Sequence, residues 1–150
     1  MTQIQKTRTQ ATAVIAARIL VALVFLVNGL GIIDQAEALR ELIQRGCPEA
    51  IAPGLLIFGR SIEVIAGFAI ALGIYPRIAS VWLMIFLIPA TWVGHPFWLL
   101  AGTPTFTPQL INFFKNMAIM GGLLFVVSTG SQASLLRTSI LYRRKIRSLT

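Results

Sequence analysis

Four long apolar segments, separated by short polar ones, dominate the hydropathy pattern of this chain. They cover about residues 13–33, 53–74, 77–94 and 110–128. A helix of about 20 residues rises roughly 30 Å, which matches the hydrocarbon thickness of a bilayer. The pattern therefore predicts an all-α fold, an integral membrane four-helix bundle. Residues 1–150 are expected to form a single domain, with polar cytoplasmic tails at 1–12 and 131–150.

The polar segment after the first apolar run has the period of an amphipathic helix, at about residues 35–45. Ala36, Leu39, Leu42 and Ile43 share one face. Glu41 and Arg45 have the spacing of an ion pair, and Gly46 is a stop signal. About 11 residues are too few to cross a bilayer, so we expect a helix on the outer surface. It is either a connector or a cover over the mouth of the bundle.

Composition and charge agree with a membrane protein. Hydrophobic residues make up 56% of the chain and charged residues 12%, and the mean hydropathy is +0.79. The net charge of +8 is explained by the positive-inside rule and anionic lipid rather than by nucleic-acid binding. Most basic residues fall on one side if both termini are cytoplasmic. These are Lys6, Arg8, Arg18, Arg77, Arg137, Arg143, Arg144, Lys145 and Arg147.

Two further features limit the function and the topology. The single cysteine, Cys47, excludes an internal disulfide and an iron–sulfur cluster held by this chain alone. No phosphate loop, nucleophile elbow or metal-ligand spacing occurs, so no catalytic or metal-binding residue is predicted. A cleavable signal peptide ending near Ala36-Glu37-Ala38 is an alternative to the first span. The first apolar run is longer than the usual 7–15 residues of such a signal, which favours a span.

Polar side chains within or beside the apolar segments predict a cluster in the outer half of the bundle. The candidates are Asn28, Arg60, Glu63, His95, Lys115 and Asn116. Arg60 and Glu63 are three residues apart, so we expect them on one side of their helix. An unpaired charge at membrane depth costs at least ~2.5–3.5 kcal/mol. Lys115 is expected at a depth similar to that of Arg60 and is the expected partner of Glu63, with Arg60 as the alternative partner.

Two interpretations of this cluster stay open. In the first, the charges only lock the helices together. In the second, they line a pocket for an anionic or quinone-like molecule, with two cations for one carboxylate. Aromatic side chains are expected above that pocket: Trp92, Phe97 and Trp98. Arg18, near the start of the first segment, is expected to extend its side chain to the interface.

Several short motifs, in this order and spacing, resemble the DoxX family over about residues 13–130. They are Arg18-Ile19-Leu20, Glu63 followed by Gly67, Gly73-Ile74-Tyr75-Pro76-Arg77, His95-Pro96-Phe97-Trp98, and Phe113-Phe114-Lys115-Asn116 followed by Gly121-Gly122. The resemblance implies a four-helix protein of the bacterial inner membrane. It also implies that Glu63, Lys115 and Asn116 occupy the polar positions of the family. Many members carry a lysine where this chain has Ile32-Ile33-Asp34.

The resemblance implies a function as well as a fold. Family members include a subunit associated with thiosulfate:quinone oxidoreduction and proteins linked to membrane oxidoreductase complexes. The expected role is a small subunit of a quinone-linked oxidoreductase system in the lipid bilayer, with a quinone as the cofactor and an oxidoreductase as the partner. A non-catalytic scaffold is the alternative, and a small transporter is a third. A homo-oligomer stays open.

Overall fold

The computed structural model describes residues 3–32 and 35–129, and it consists of helices joined by short connections. The helices are α1 (Gln3–Gly29), α2 (Gln35–Gln44), α3 (Ala52–Leu72), α4 (Pro76–Gly94) and α5 (Phe106–Thr129), with one 3₁₀ turn (Phe97–Leu99). Four segments are long and apolar enough to cross a membrane: Thr9–Gly29, Ala52–Leu72, Pro76–Leu99 and Phe106–Thr129. No strand occurs in these two described ranges. The predicted all-α membrane bundle and its short amphipathic helix are confirmed; the predicted tail at 131–150 lies outside the described residues.

The four long helices form a closed bundle in the order α1, α3, α4, α5. Gly29 lies against Arg60 and Val64, whereas Gly67 lies against Leu26 earlier in α1, so α1 and α3 are antiparallel. A short turn makes α3 and α4 antiparallel neighbours in the same way. The short helix α2 packs on α3 at the end of the bundle where α1 finishes; this end is called the α2 end below.

The interior of the bundle is narrow, and most large apolar side chains face outward. The buried core includes Ala22, Phe25, Ile70, Leu83, Leu123 and Val126. By contrast, Ile57, Phe58 and Ile65 of α3 are 66%, 64% and 71% exposed. Such a surface would be unfavourable in water but is suited to lipid, because lipid tails are as apolar as the side chains that they contact.

The first spanning helix ends four residues earlier than the sequence predicted. Gly31 has a φ of 72°, a conformation that glycine adopts without a steric penalty. The amide of Gly31 donates to Asn28 O at 3.0 Å, and that of Ile32 donates to Val27 O at 3.3 Å. These two bonds form a Schellman motif, which satisfies the last carbonyls of the helix and stops it. The predicted segment 13–33 is therefore a helix that ends at Gly29.

Arg18 is inside the bundle, which corrects the expectation that it reaches the interface. Its side chain is only 2% exposed. The expectation assumed a helix start near residue 13, but α1 begins at Gln3 and its spanning part begins at Thr9. Arg18 therefore lies about 14 Å from the start of the span, at 1.5 Å per residue. That depth leaves its side chain among the helices rather than at the interface.

Candidate functional site: a cavity beneath α2

All five helices line a cavity of about 910 Å³ at the α2 end of the bundle, called the central cavity below. The cavity exists because α1 is short. Gly29 packs at the level of Arg60 and Val64, so α1 ends about 12 Å below the start of α3. The chain then crosses the gap as α2 instead of continuing upward, and the space between α2 and the end of α1 stays open.

The walls of the central cavity combine apolar side chains with polar side chains from several helices. The apolar walls include Val24, Phe25, Val27, Phe86, Leu87 and Ile119. Five of the six predicted site residues line it: Asn28, Glu63, His95, Lys115 and Asn116. The sequence therefore located half of the polar lining, although these residues come from α1, α3, α5 and the segment after α4.

Arg60 does not line the central cavity, although it is only three residues from Glu63. It lines a separate groove on the outer surface of the bundle, together with Ser61 and Val64. Three residues rotate a helix by about 300°, which leaves the two side chains about 60° apart. Because α1 packs directly on this part of α3, that angle places Glu63 in the interior and Arg60 on the lipid-facing side.

Glu63 and Asn28 form a hydrogen-bonded contact between α3 and α1 in the lining of the cavity. Asn28 Nδ2 donates to both carboxylate oxygens of Glu63, each at 2.7 Å, and Glu63 is 5% exposed. The close approach of α1 to α3 depends on Gly29. A Cβ at this position would lie 2.8 Å from Val64 Cγ2 and 3.0 Å from the backbone oxygen of Arg60. A small residue at the end of α1 thus allows an amide of α1 to reach a carboxylate of α3.

Lys115 is not the ion-pair partner of Glu63 that the sequence suggested. Its Nζ lies 3.5 Å from Asn112 Oδ1 on the same helix, and the side chain is exposed. Within residues 3–32 and 35–129, the one ion pair is Glu41–Arg45, at 3.4 Å, which the spacing in α2 predicted. Because an ammonium has three N–H donors, Lys115 can also donate to a molecule in the cavity.

Two further hydrogen bonds join polar residues across the site. Asn116 Nδ2 donates to Thr91 Oγ1 at 3.0 Å, which connects α5 to the buried hydroxyl of α4. At the mouth, His95 Nδ1 donates to Gln109 Oε1 at 2.7 Å. Thr91 and Gln109 were not predicted, because a threonine in an apolar run and a glutamine at a helix start carry no distinctive sequence signal.

The helix α2 covers the mouth of the cavity and is attached to α4 through Arg45. The guanidinium of Arg45 donates to the backbone oxygens of Gly94 and Val93, which are free carbonyls at the end of α4. Glu37 and Glu41 of α2 also line the cavity. Of the two roles considered for this helix, the structure therefore supports the cover over the mouth.

The charges around the cavity differ from the two cations and one carboxylate expected from the sequence. Arg60 is absent from the lining, whereas Glu37 and Glu41 of α2 and Arg45, the residue after α2, are part of it. With Glu63 and Lys115, the lining holds three carboxyl groups and two cations. A net positive pocket for an anion is therefore not what these residues form, and hydrogen bonding to a neutral group fits them better.

The predicted aromatic side chains lie beside the cavity and not over it. Trp92 and Trp98 have ring centroids 4.5 Å apart, and Phe97 and Phe113 are 5.2 Å apart in an edge-on arrangement. None of these residues lines the cavity. They attach the 3₁₀ turn to α5 near the α2 end, where aromatic side chains are typical of a membrane interface.

The polar lining offers hydrogen-bond donors and acceptors but no metal centre. Within the described ranges, no group of three histidine, cysteine, aspartate or glutamate side chains comes together. Lys115 and the amides of Asn112 and Asn116 can donate, and the carboxyl of Glu63 can accept. The arrangement suits a molecule with an apolar body and a small polar head.

Comparison with known proteins supports the relationship that the motifs indicated. A family model described as DoxX matches residues 13–96, more than half of the chain. The match ends before α5, so it does not include the Phe113–Asn116 motif. The chain is also 29% identical to the inner membrane protein YphA of Escherichia coli (strain K12), over 78% of this chain and 82% of that protein. No solved structure is significantly similar to the chain.

Proposed function

We propose that this chain, which belongs to the DoxX family, binds a lipophilic molecule with a hydrogen-bonding head in its central cavity. Together with YphA, the four apolar helices support a multi-pass protein of the bacterial inner membrane. In that membrane the chain would act as a small subunit of a quinone-linked oxidoreductase system. The observation that carries the proposal is the cavity of about 910 Å³, which lies within the range of roughly 300–1,000 Å³ found for small-molecule sites.

A quinone fits the chemistry of this cavity. Its ring and tail would contact the apolar walls formed by side chains such as Phe25, Phe86 and Ile119. Its carbonyl oxygens would accept hydrogen bonds from Lys115 or Asn116, and a hydroxyl of the reduced form would donate to Glu63. When bound, the quinone would supply two-electron carrier chemistry, while the chain binds and orients it.

The charge balance supports a neutral ligand over an anion. The carboxyl groups of Glu37, Glu41 and Glu63 outnumber the cations of Arg45 and Lys115 in the lining. A multiply charged anion would be repelled by the excess negative charge of these carboxyl groups. The repulsion is strong because the site is partly shielded from water. A quinone carries no charge and needs only the hydrogen bonds.

Binding can be tested with the purified full-length chain in detergent. Mass spectrometry of its lipid extract should show a copurifying quinone, and added ubiquinone-1 should quench the tryptophan fluorescence in a saturable way. Loss of one hydrogen bond to the head group should weaken binding roughly tenfold in Lys115→Met or Asn116→Leu, since such bonds contribute about 1.5 kcal/mol. Arg40→Gln is the matched control, because Arg40 is an exposed cation of α2 outside the lining. Protein with no bound quinone and no saturable binding would refute the proposal.

The proposed orientation places both termini in the cytoplasm and the α2 end on the outer side. Its support is the concentration of lysine and arginine at the ends of the sequence and at Arg77, with acidic residues near α2. Cys47 is the single cysteine of the chain and lies in the connection after α2. A small membrane-impermeant thiol reagent should therefore label Cys47 in intact cells. Labelling only after the inner membrane is permeabilised would reverse the orientation.

A non-catalytic scaffold is the second candidate, and two interhelical contacts favour it. Asn28–Glu63 joins α1 to α3, and Asn116–Thr91 joins α5 to α4. For a scaffold, Glu63→Gln should lower stability while the activity of a partner complex per folded molecule stays normal. For a binding subunit, Asn116→Leu in folded protein should lower that activity as well.

A further inference from the structure

A second concave site lies on the outside of the bundle, between the end of α1 and the outer face of α3. It has a volume of about 360 Å³ and is lined by Gly29, Leu56, Ile57, Arg60, Ser61, Val64 and Ile65; it is called the Arg60 groove below. Its apolar members belong to the same exposed surface as Phe58, which is 64% exposed. In a membrane-spanning chain, that surface is covered by lipid. The groove therefore opens toward lipid and is separate from the central cavity.

Arg60 is the one charged residue of this groove. Among the residues that the structure describes, it forms no hydrogen bond and no ion pair. Glu63, one turn further along α3, attracts it only at longer range, and the carboxylate of Glu63 is bonded to Asn28 inside the bundle. A charge left without a partner in the hydrocarbon region is costly. A partner from outside the chain would remove this cost.

The geometry places the Arg60 guanidinium within reach of the lipid headgroups. Arg60 lies eight residues after the start of α3, hence about 12 Å below that end of the helix. Side chains on a helix lean toward its N-terminus, which for α3 is the α2 end. The long arginine side chain can therefore extend along Leu56 and Ile57 toward the nearer membrane surface, as arginines in spanning helices commonly do.

We propose that the Arg60 groove binds the phosphate of a phospholipid from the leaflet at the α2 end. The planar guanidinium would form paired hydrogen bonds with the phosphate oxygens, a geometry that arginine provides and lysine does not. The Ser61 hydroxyl donates to Ile57 O at 2.8 Å, so Arg60 is the donor to the phosphate. An acyl chain would lie against Val64 and Ile65, beside the bare backbone of Gly29. This site is independent of the function proposed for the central cavity.

The test uses the delipidated full-length chain in detergent, with native mass spectrometry to count bound lipids and thermal unfolding to follow stability. Dioleoyl phosphatidylglycerol should add one tightly bound lipid and raise the melting temperature. Arg60→Gln should lower occupancy at that site roughly tenfold, the effect expected for loss of a charge-assisted hydrogen bond. Arg60→Lys should retain part of the binding. Arg40→Gln, which removes an exposed cation outside the groove, should behave like the unmodified protein.

Two ligand controls separate the possible sources of the signal. Dioleoylglycerol has the same acyl chains without a phosphate, and inorganic phosphate has no chains; neither should reproduce the bound lipid or the stabilisation. Equal binding of dioleoylglycerol, or an equal effect of inorganic phosphate, would overturn the proposal. It would also be overturned if Arg60→Gln changed the oligomeric state but not the lipid occupancy, since the guanidinium would then pair with another protein chain.

Discussion

Replacing Asn28 by alanine would remove the donor that the described residues provide for the Glu63 carboxylate. The two nitrogen–oxygen distances of 2.7 Å and the 5% exposure of Glu63 indicate a strong contact. Interhelical hydrogen bonds in membrane proteins average ~0.6 kcal/mol and reach ~1.7 kcal/mol. Asn28 bonds both carboxylate oxygens of Glu63, and Asn28→Ala would leave this carboxyl group buried without that donor. We therefore expect Asn28→Ala to lower the free energy of unfolding by about 2 kcal/mol.

A double-mutant cycle separates the contact itself from the other effects of each substitution. The unmodified protein, Asn28→Ala, Glu63→Ala and the double variant would be unfolded reversibly by increasing sodium dodecyl sulfate in mixed micelles, with circular dichroism as the signal. The interaction energy should be about 1.5 kcal/mol, near the upper end of the membrane range. Ser128 lies far from Asn28 along the bundle, and among the described residues its hydroxyl bonds within α5, to Phe125 O. The effects of Asn28→Ala and Ser128→Ala should therefore add.

The outcome that would refute this reasoning is an interaction energy between Asn28 and Glu63 below about 0.3–0.5 kcal/mol, the level at which independent sites add. Such a value would mean that Glu63 finds an equivalent partner when Asn28 is absent. The contact would then make no net contribution to stability.

Three further predictions test the close packing at Gly29, the attachment of α2 through Arg45, and the Thr91–Asn116 hydrogen bond. Gly29→Ala should destabilise the bundle by about 1–3 kcal/mol, because its Cβ meets backbone and side chain at 2.8–3.0 Å. At Gly121 nothing lies within 4 Å of an added Cβ, so Gly121→Ala should be neutral or stabilise by up to about 1 kcal/mol. The same unfolding in detergent measures both glycine variants. Equal effects on stability would contradict the close packing at Gly29. Arg45→Ala should speed amide hydrogen exchange in α2 but not in α3, as measured by mass spectrometry. Unchanged exchange in α2 would show that Arg45 does not attach this helix to α4. Thr91→Val should cost about 1 kcal/mol by leaving the Asn116 amide without its acceptor, and a neutral result would indicate that another group replaces the hydroxyl.

The architecture could be predicted because its signals are local. Four apolar runs of spanning length, the period of α2, and the ion pair Glu41–Arg45 all depend on residues close in sequence. Gly46 ends α2 as expected, with a φ of 91°. Half of the polar lining could also be predicted, since polar residues in apolar runs are rare enough to be noticed.

The pairing of polar groups could not be predicted, because it depends on how the helices are rotated against each other. Spacing alone placed Arg60 and Glu63 on one side of α3. Their directions nevertheless differ by about 60° around the helix axis. Because α1 packs against this part of α3, that difference leaves Arg60 facing lipid and Glu63 facing the interior. Because the rotation of the helices was unknown, the sequence also did not identify Asn28 as the hydrogen-bond partner of Glu63. For Arg18, the error came from the predicted start of α1, which moved the residue from a helix end to the bundle interior.

The glycine that stops α1 also sets the capacity of the site. Gly31 does not line the central cavity, yet its position determines how many turns of α1 are missing above Asn28. A related chain with the same stop signal one turn later would keep every lining side chain of α3, α4 and α5 but lose about 5.4 Å of depth. Members of this fold can therefore change the size of the molecule they accommodate through the length of one helix, without altering the residues that recognise it.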